Sequence, residues 1–153
     1  MKVREKSAPD ISQFKTLLKA KNLKATPQRL AVHQAMLALG HASADTVADY
    51  MHENCGTSVT IASVYNILST LADLKIYNRR MSSNNKMYFD VNTFKHLHLY
   101  DCEGNKFKDV IDDELIEMVE AHFKGRRFRG YTVEGFDVQI ICHPTARNKK
   151  AQG

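Results

Sequence analysis

The chain has 153 residues, 43% of them hydrophobic, which is enough to build a core as one domain or as two compact halves. No stretch approaches the ~20 apolar residues of a membrane span, and the opening MKVREKSAPD lacks an apolar secretory segment, so we expect a cytoplasmic protein with no membrane role. Three widely spaced cysteines without a CxxC pair argue against a disulfide framework.

Positive charge is concentrated in the N-terminal half. Up to Tyr88 there are 12 Lys and Arg residues against 6 Asp and Glu, whereas the remainder has 10 against 11. This distribution suits an anionic partner, but it also suits a solvated basic surface. Charge alone therefore leaves the partner open.

Helix signals follow one another through the first half. A first helix places Ile11, Phe14, Leu17 and Leu18 on one face and ends at Asn22. The second begins in TPQRLAVHQAMLALG, which has an N-cap residue, a proline at the first helical position and a terminal glycine: Thr26, Pro27 and Gly40. A third helix is expected over 44–53, capped by a serine and ended by a glycine: Ser43 and Gly56.

A fourth helix is predicted over 60–74, followed by a hairpin. Its apolar stripe has a period of 3.6 residues and comprises Ile61, Val64, Leu68 and Leu71. The opposite face is small, polar and nearly uncharged, with Ala62, Asn66, Ser69 and, at its edge, Tyr65. In IYNRRMSSNNKMYFDV, two β-prone runs flank a polar turn containing Asn84-Asn85. This order predicts a winged helix-turn-helix, whose last helix enters the major groove while the hairpin lies along the phosphates.

The second half predicts a small α/β unit. HLHLYD and NKFKDV read as paired strands around a turn at 103–105, DDELIEMVEAHF as a helix, and YTVEGFDVQIICH as a third strand. Core-facing positions in this strand are Val133, Phe136, Val138 and Ile140. Because a three-stranded sheet with one helix cannot cover both of its faces, we expect this half to form a homodimer.

The fold prediction is therefore α+β, with an N-terminal winged helix-turn-helix followed by a small α/β dimerisation domain. We assign 1–88 to the DNA-binding domain, 89–94 to a hinge, 95–145 to dimerisation and metal sensing, and 146–153 to a disordered tail.

A candidate metal site lies around the junction of the two halves. His96 and His98 are two apart on a predicted strand, so both imidazoles face one side, although such a pair alone is weak evidence. His41, Asp90 and Asp109 lie at element ends or on a neighbouring strand, from which they could reach the same ion. Three imidazoles and two carboxylates suit Fe(II), Mn(II) or Zn(II). Such an ion would fix the relative orientation of the two halves.

The motifs TPQRLAVHQAML, GHASADTV, SVTIASVYNILSTL, FDVNTFKHLHL and KFKDV, in this order and spacing, resemble the ferric uptake regulator family over residues 11–143. The resemblance implies a winged-helix domain joined to a dimerisation domain. It also implies that the five candidates form the regulatory metal site, with Asp109 and the VYN run at 64–66 most similar to the peroxide-sensing branch.

By the same resemblance, four residues contact DNA. Lys24 is expected to reach a minor groove, Arg29 to hold phosphate and Tyr65 to contact thymine methyl groups. Asn66 stands where iron-sensing members more often have Arg. Since Asn can bond adenine and Arg prefers guanine, we expect a shifted operator preference.

The sequence departs from the family at its structural zinc site. Asp101 and Gly104 replace the first cysteine pair and only Cys142 remains near the second, so no four-cysteine zinc is expected. We interpret Cys102 and Cys142 as small packing residues, although a zinc site that also uses His143 is an alternative. Lys95 and Leu97 stand where ligands of the family's second histidine-rich site would lie. The remaining histidines are interpreted as packing or surface residues: His33, His52 and His122.

The functional hypothesis is a dimeric repressor that binds operator DNA when Fe(II) or Mn(II) is bound and is released when peroxide oxidises ligand histidines. Zn(II) could occupy the site in purified protein. The closest alternative is an iron- or haem-responsive regulator of the same family without histidine oxidation. A non-haem metal enzyme is disfavoured, because five protein ligands leave too few free coordination positions. A DNA-binding module with a purely structural metal would bind its operator regardless of chelators.

Overall fold

The computed structural model describes residues 8–82, 85–93 and 95–151. The chain divides into two compact units, 1–94 and 95–153. No helix among the described residues is both long enough and apolar enough to cross a membrane.

Four helices build most of the first unit, and their bounds follow from local capping. They are α1 (Ile11–Ala20), α2 (Pro27–Leu39), α3 (Ala44–Cys55) and α4 (Ile61–Asp73). The predicted caps of α2 are confirmed: the Thr26 side chain accepts from the backbone N–H of Arg29, and Gly40 ends the helix at a φ of 74°. Gly56 likewise ends α3 with a φ of 58°, a left-handed conformation that costs glycine little.

The core of the first unit joins one face of each helix. Its fully buried side chains include Phe14, Leu18, Val32, Met36, Val47, Met51, Val64, Leu68 and Leu71. The predicted stripe on α4 is confirmed except at its first position, since Ile61 is 54% exposed. Leu17 on α1 is also exposed, so the buried face of that helix is narrower than expected.

A three-stranded antiparallel sheet completes the first unit. The strands are β1 (His41–Ala42), β2 (Asn78–Met81) and β3 (Met87–Asp90), in the order β1-β3-β2. β2 and β3 form the predicted hairpin; Asn84 of its expected turn lies outside the described residues, and Asn85 has a φ of 61°. Four helices followed by this hairpin form the predicted winged helix.

The second unit is the predicted small α/β arrangement. Its elements are β4 (Leu97–Asp101), β5 (Lys106–Val110), α5 (Asp113–Phe123), β6 (Gln139–Cys142) and α6 (Ala146–Ala151). The strand order is β5-β4-β6, with β4 antiparallel to β5 and parallel to β6. The turn after β4 is held by the Asp101 carboxylate, which accepts from the backbone N–H groups of Glu103 and Gly104.

Three details of the second half differ from the sequence prediction. The third strand is confined to β6, and Val133, Phe136 and Ile140 are exposed instead of facing the core. Residues 146–151 form α6 instead of a disordered tail; Thr145 caps this helix and Lys149 pairs with Glu103.

The expected hinge also begins within a strand. Phe89 and Asp90 complete β3, since β3 pairs with both β1 and β2 up to its last residue.

Candidate metal centre and DNA-facing surface

In the first unit, the sheet brings His41 and Asp90 together. β1 pairs with β3 so that these residues are direct partners, and His41 Nε2 lies 3.2 Å from Asp90 Oδ2. Both side chains are buried, and Asp90 Oδ1 accepts from the backbone N–H of Asn92 at 2.8 Å. The first unit therefore holds one imidazole and one carboxylate side by side, with the atoms that could bind a metal facing each other.

In the second unit, three donor side chains converge. His98 on β4 is the direct strand partner of Asp109 on β5, and His96 immediately precedes β4. Asp109 Oδ1 lies 3.1 Å from His96 Nε2 and 3.7 Å from His98 Nε2. Each residue offers a ligand atom within 4.8 Å of those of the other two, so this unit carries a His/Asp cluster able to hold a metal ion.

The two imidazoles face the same side, as the spacing predicted. The ring centroids of His96 and His98 are 4.4 Å apart and the planes meet at 61°. Both side chains are almost completely buried, which removes them from competing water. A buried pair of imidazoles beside a carboxylate suits a borderline divalent ion.

Sequence reasoning missed Asp137. Its Oδ1 lies 3.3 Å from His98 Nδ1, on the side of the ring opposite the nitrogen that faces Asp109, and Gln139 Nε2 donates to its other oxygen at 3.1 Å. A carboxylate in this place orients a ligand histidine and fixes its tautomer. The signal was present as a charged residue between two apolar ones, just before β6.

Arg80 was also missed as a site residue. The hairpin was expected to place its basic residues along DNA phosphates, but the Arg80 side chain is only 8% exposed and its Nη2 lies 3.6 Å from Asp90 Oδ2. The neighbouring Arg79 is exposed and pairs with Asp73 instead. Alternation along a strand, in which successive side chains point to opposite faces, was the signal that separates the two arginines.

The cysteines do not join the metal cluster. Cys102 is exposed, so interpreting it as a packing residue is wrong: it lies in the turn after β4. Cys142 is half-buried, and its Sγ donates to the Tyr100 carbonyl at 3.4 Å. Among the residues that the structure describes, the group of donors able to hold an ion contains no cysteine.

Another buried histidine lies within the helical core. His33 Nδ1 is 2.6 Å from the Tyr77 hydroxyl and Nε2 is 2.7 Å from the Pro9 carbonyl, while the ring stacks on Phe14 at 3.9 Å. A carbonyl only accepts, so neutral His33 donates from Nε2 and accepts from Tyr77 at Nδ1. Burial lowers the pKa of His33, which favours this neutral form. The expected packing role is confirmed.

An ion pair ties α3 to the hairpin. Lys86 Nζ lies 2.7 Å from Asp45 Oδ2. Burial alone would raise the pKa of Asp45, but hydrogen bonds from Lys86 and Ser43 bring that pKa below its ordinary value. The same hydrogen bond from Lys86 to Asp45 raises the pKa of Lys86. Both groups are therefore charged across the physiological range.

The four expected DNA contacts lie in the first unit. Lys24 is exposed just before α2, and Arg29 in the first turn of α2 donates to the Lys24 carbonyl at 2.9 Å. On α4, Asn66 is exposed and Tyr65 is 42% exposed, with its ring edge-on to Phe89 at 6.0 Å. Tyr65 thus connects the exposed face of α4 to the strand that carries Asp90.

One comparison with known proteins identifies the family of the chain. The profile of the ferric uptake regulator family matches residues 20–139. No curated protein is detectably similar to the chain in sequence.

Solved structures share the fold. The Vibrio cholerae ferric uptake regulator is similar with a TM-score of 0.71 at 19% identity, over 86% of this chain and 99% of that chain. A Campylobacter jejuni peroxide stress regulator is similar with a TM-score of 0.60 at 23% identity, over 86% of this chain and 96% of that chain. A zinc uptake regulator in complex with zinc and DNA is similar with a TM-score of 0.62 at 15% identity, over 94% of this chain and 95% of that chain.

Proposed function

Because the chain belongs to the ferric uptake regulator family, we propose that it is a metal-dependent transcriptional repressor that binds operator DNA as a homodimer in the cytoplasm. Proteins of this family are regulators, not enzymes. The observation that carries the proposal is the close grouping of His96, His98 and Asp109 in one unit together with the facing pair His41 and Asp90 in the other.

The donor set fits a divalent ion. We assign all five residues to one regulatory site for Fe(II) or Mn(II), with Zn(II) able to bind in purified protein. Three imidazole nitrogens and two carboxylate oxygens match the preferences of these ions. In each unit the ligand side chains are already adjacent, and only Asp109 is partly exposed, so little side-chain entropy is lost when they bind.

The switch follows from where the ligands come from. An ion held by all five residues would tie the first unit to the second, and its loss would release His41 and Asp90. Moving a population from 1:99 to 99:1 requires a preference of about 10⁴-fold for the closed state, or ~5.5 kcal/mol. Two ligands contributed from across the boundary can supply a preference of this size.

The homodimer is proposed from the surface of the second unit. Its exposed apolar side chains are Ile111, Met118, Phe123, Phe128, Tyr131, Val133, Phe136, Ile140 and Ile141. Covering such a surface is favourable by about 25 cal/mol per Å² of apolar area. A second copy would cover it and present two recognition helices to two half-sites.

The peroxide response is the finer part of the proposal. Bound Fe(II) would supply the one-electron reduction of peroxide, a reaction that Mn(II) does not support. We propose that one oxygen atom of the peroxide is then transferred to the imidazole of His41 or His96 while the other leaves as water. The oxidised ring ceases to act as a ligand, which releases the DNA. Asp109, in place of the Glu that the resemblance associates with iron sensing, supports this branch.

The DNA contacts are assigned to α4, α2 and the segment just before α2. Lys24 is proposed to reach a minor groove and Arg29 to hold phosphate, while Tyr65 contacts thymine methyl groups and Asn66 reads a base edge. Tyr65 and Asn66 are available for this role because both lie on the exposed face of α4.

The test is duplex binding by the purified protein. A random-sequence duplex pool is selected in Mn(II), and the enriched duplex is then used in anisotropy titrations with Mn(II), Fe(II) or chelator. We expect the protein to bind the duplex with either Mn(II) or Fe(II) and to lose that binding in chelator. Dilute peroxide should abolish duplex binding only in the Fe(II)-loaded protein. Binding that chelator leaves unchanged would contradict metal dependence.

Peptide masses distinguish the two branches of the family. Fe(II)-loaded protein treated with peroxide should gain oxygen on His41 or His96, while His33, His52 and His122 serve as internal controls away from the site. Loss of DNA binding without oxygen on either ligand would favour the iron- or haem-responsive alternative.

A further inference from the structure

Arg80 shares the carboxylate oxygen that faces His41. Arg80 Nη2 lies 3.6 Å from Asp90 Oδ2, and His41 Nε2 lies 3.2 Å from that same oxygen. The Asp90 side chain is completely buried and that of Arg80 is 8% exposed. A fixed positive charge therefore lies inside the first unit at a proposed metal ligand.

Arg80 carries a delocalised guanidinium cation. An arginine guanidinium stays charged in proteins and suits close ion pairs with carboxylates. A buried carboxylate is costly unless it is paired, and Arg80 supplies that pairing when no ion is bound. A divalent ion at Asp90 Oδ2 would meet the positive charge of Arg80 at short range, where a low effective dielectric leaves the repulsion strong.

We propose that Arg80 is an internal counter-ion that neutralises Asp90 in the metal-free protein and competes with the divalent ion for it. The proposal rests on the proposed function of the site. Arg80 thereby raises the free metal concentration at which the site fills. It also keeps the first unit stable when the ion is lost, so that metal release does not unfold the sheet.

This role predicts two effects of opposite sign. Removing the charge should tighten metal binding, because the repulsion disappears. It should also lower the stability of the metal-free protein, because Asp90 is then buried without its cation. If the role of Arg80 were only structural, removing its charge would weaken both metal binding and the stability of the fold.

Arg79 offers a matched control on the same strand. It carries the same charge, but its partner is the exposed Asp73. R79Q therefore changes the net charge as R80Q does without touching Asp90. R80K retains the charge, and R80M retains the apolar stem as a second charge-free variant in case R80Q does not fold.

The experiment is Mn(II) calorimetry on the full-length protein, with thermal unfolding in chelator. We expect R80Q and R80M to bind Mn(II) about tenfold more tightly than wild type. This factor is smaller than the full charge repulsion at an effective dielectric constant of about 20. Both should also melt below wild type without metal. R79Q and R80K should bind within about twofold of wild type.

Unchanged or weaker Mn(II) binding by both charge-free variants would overturn the role of Arg80 while leaving the metal site intact. Absence of Mn(II) binding by the wild type would overturn the proposed function itself, and the present proposal with it. The two failures are therefore distinguishable in one data set.

Discussion

Replacing Asp137 by Asn tests whether His98 is a metal ligand whose ring is oriented by a carboxylate at Nδ1. His98 is almost completely buried, its Nε2 faces Asp109, and its Nδ1 lies 3.3 Å from Asp137 Oδ1. Removing such an outer carboxylate costs about 10- to 100-fold in metal affinity. Because the Asp137 side chain is 42% exposed, we expect the lower end, about tenfold or ~1.4 kcal/mol.

The assay is competition between the protein and a fluorescent chelator for Mn(II), with E134Q as control. Glu134 is an exposed carboxylate in the same segment, so E134Q removes the same charge without touching His98. The ¹⁵N shifts of His98 in Zn(II)-loaded protein give a second readout, since D137N should weaken the preference for a proton on Nδ1. Equal Mn(II) affinities of D137N and E134Q would refute the reasoning.

Three further predictions concern the first unit. Y77F should lower the free energy of unfolding by about 1–3 kcal/mol in urea titrations, because buried His33 Nδ1 loses its donor; an unchanged midpoint would contradict this. Burial depresses the pKa of His33 in the folded protein, so folding favours the neutral imidazole. The stabilisation by neutral His33 is therefore present above the pKa of histidine in the unfolded chain, about 6.5, and is lost as the pH falls below that value. In chelator, the stability difference between wild type and H33Q should therefore shrink from about pH 7.5 to about pH 5.5, and a constant difference would argue against it. N66R should shift base preference in pool selection from adenine toward guanine by about 1–3 kcal/mol, whereas unaltered selected sequences would exclude Asn66 from base reading.

The helices and the hairpin were predictable because their signals are local. Thr26, Pro27 and Gly40 specify where α2 begins and ends through hydrogen bonds and φ angles within a few residues. The pair His96 and His98 was predictable for the same reason, since alternation along a strand fixes which side chains share a face.

Pairings between distant segments were not predictable from local signals. β1 is a strand of two residues, too short to leave a pattern, yet its pairing with β3 places His41 against Asp90. Alternation along β2 separates Arg79 from Arg80, but which of the two faces inward depends on tertiary packing, as does the approach of Asp137 to His98. Apolar residues before β6 suggested a longer core strand, and only the fold shows them exposed.

The central claim is that one ion takes ligands from both units, and counting the histidines bound to it tests that claim most directly. Pulsed electron paramagnetic resonance on Mn(II)-loaded protein resolves the coordinated imidazole nitrogens. We predict three in the wild type, from His41, His96 and His98, and two in H41Q. Two in both proteins would place the ion in the second unit alone and would contradict a switch in which the metal joins the two units.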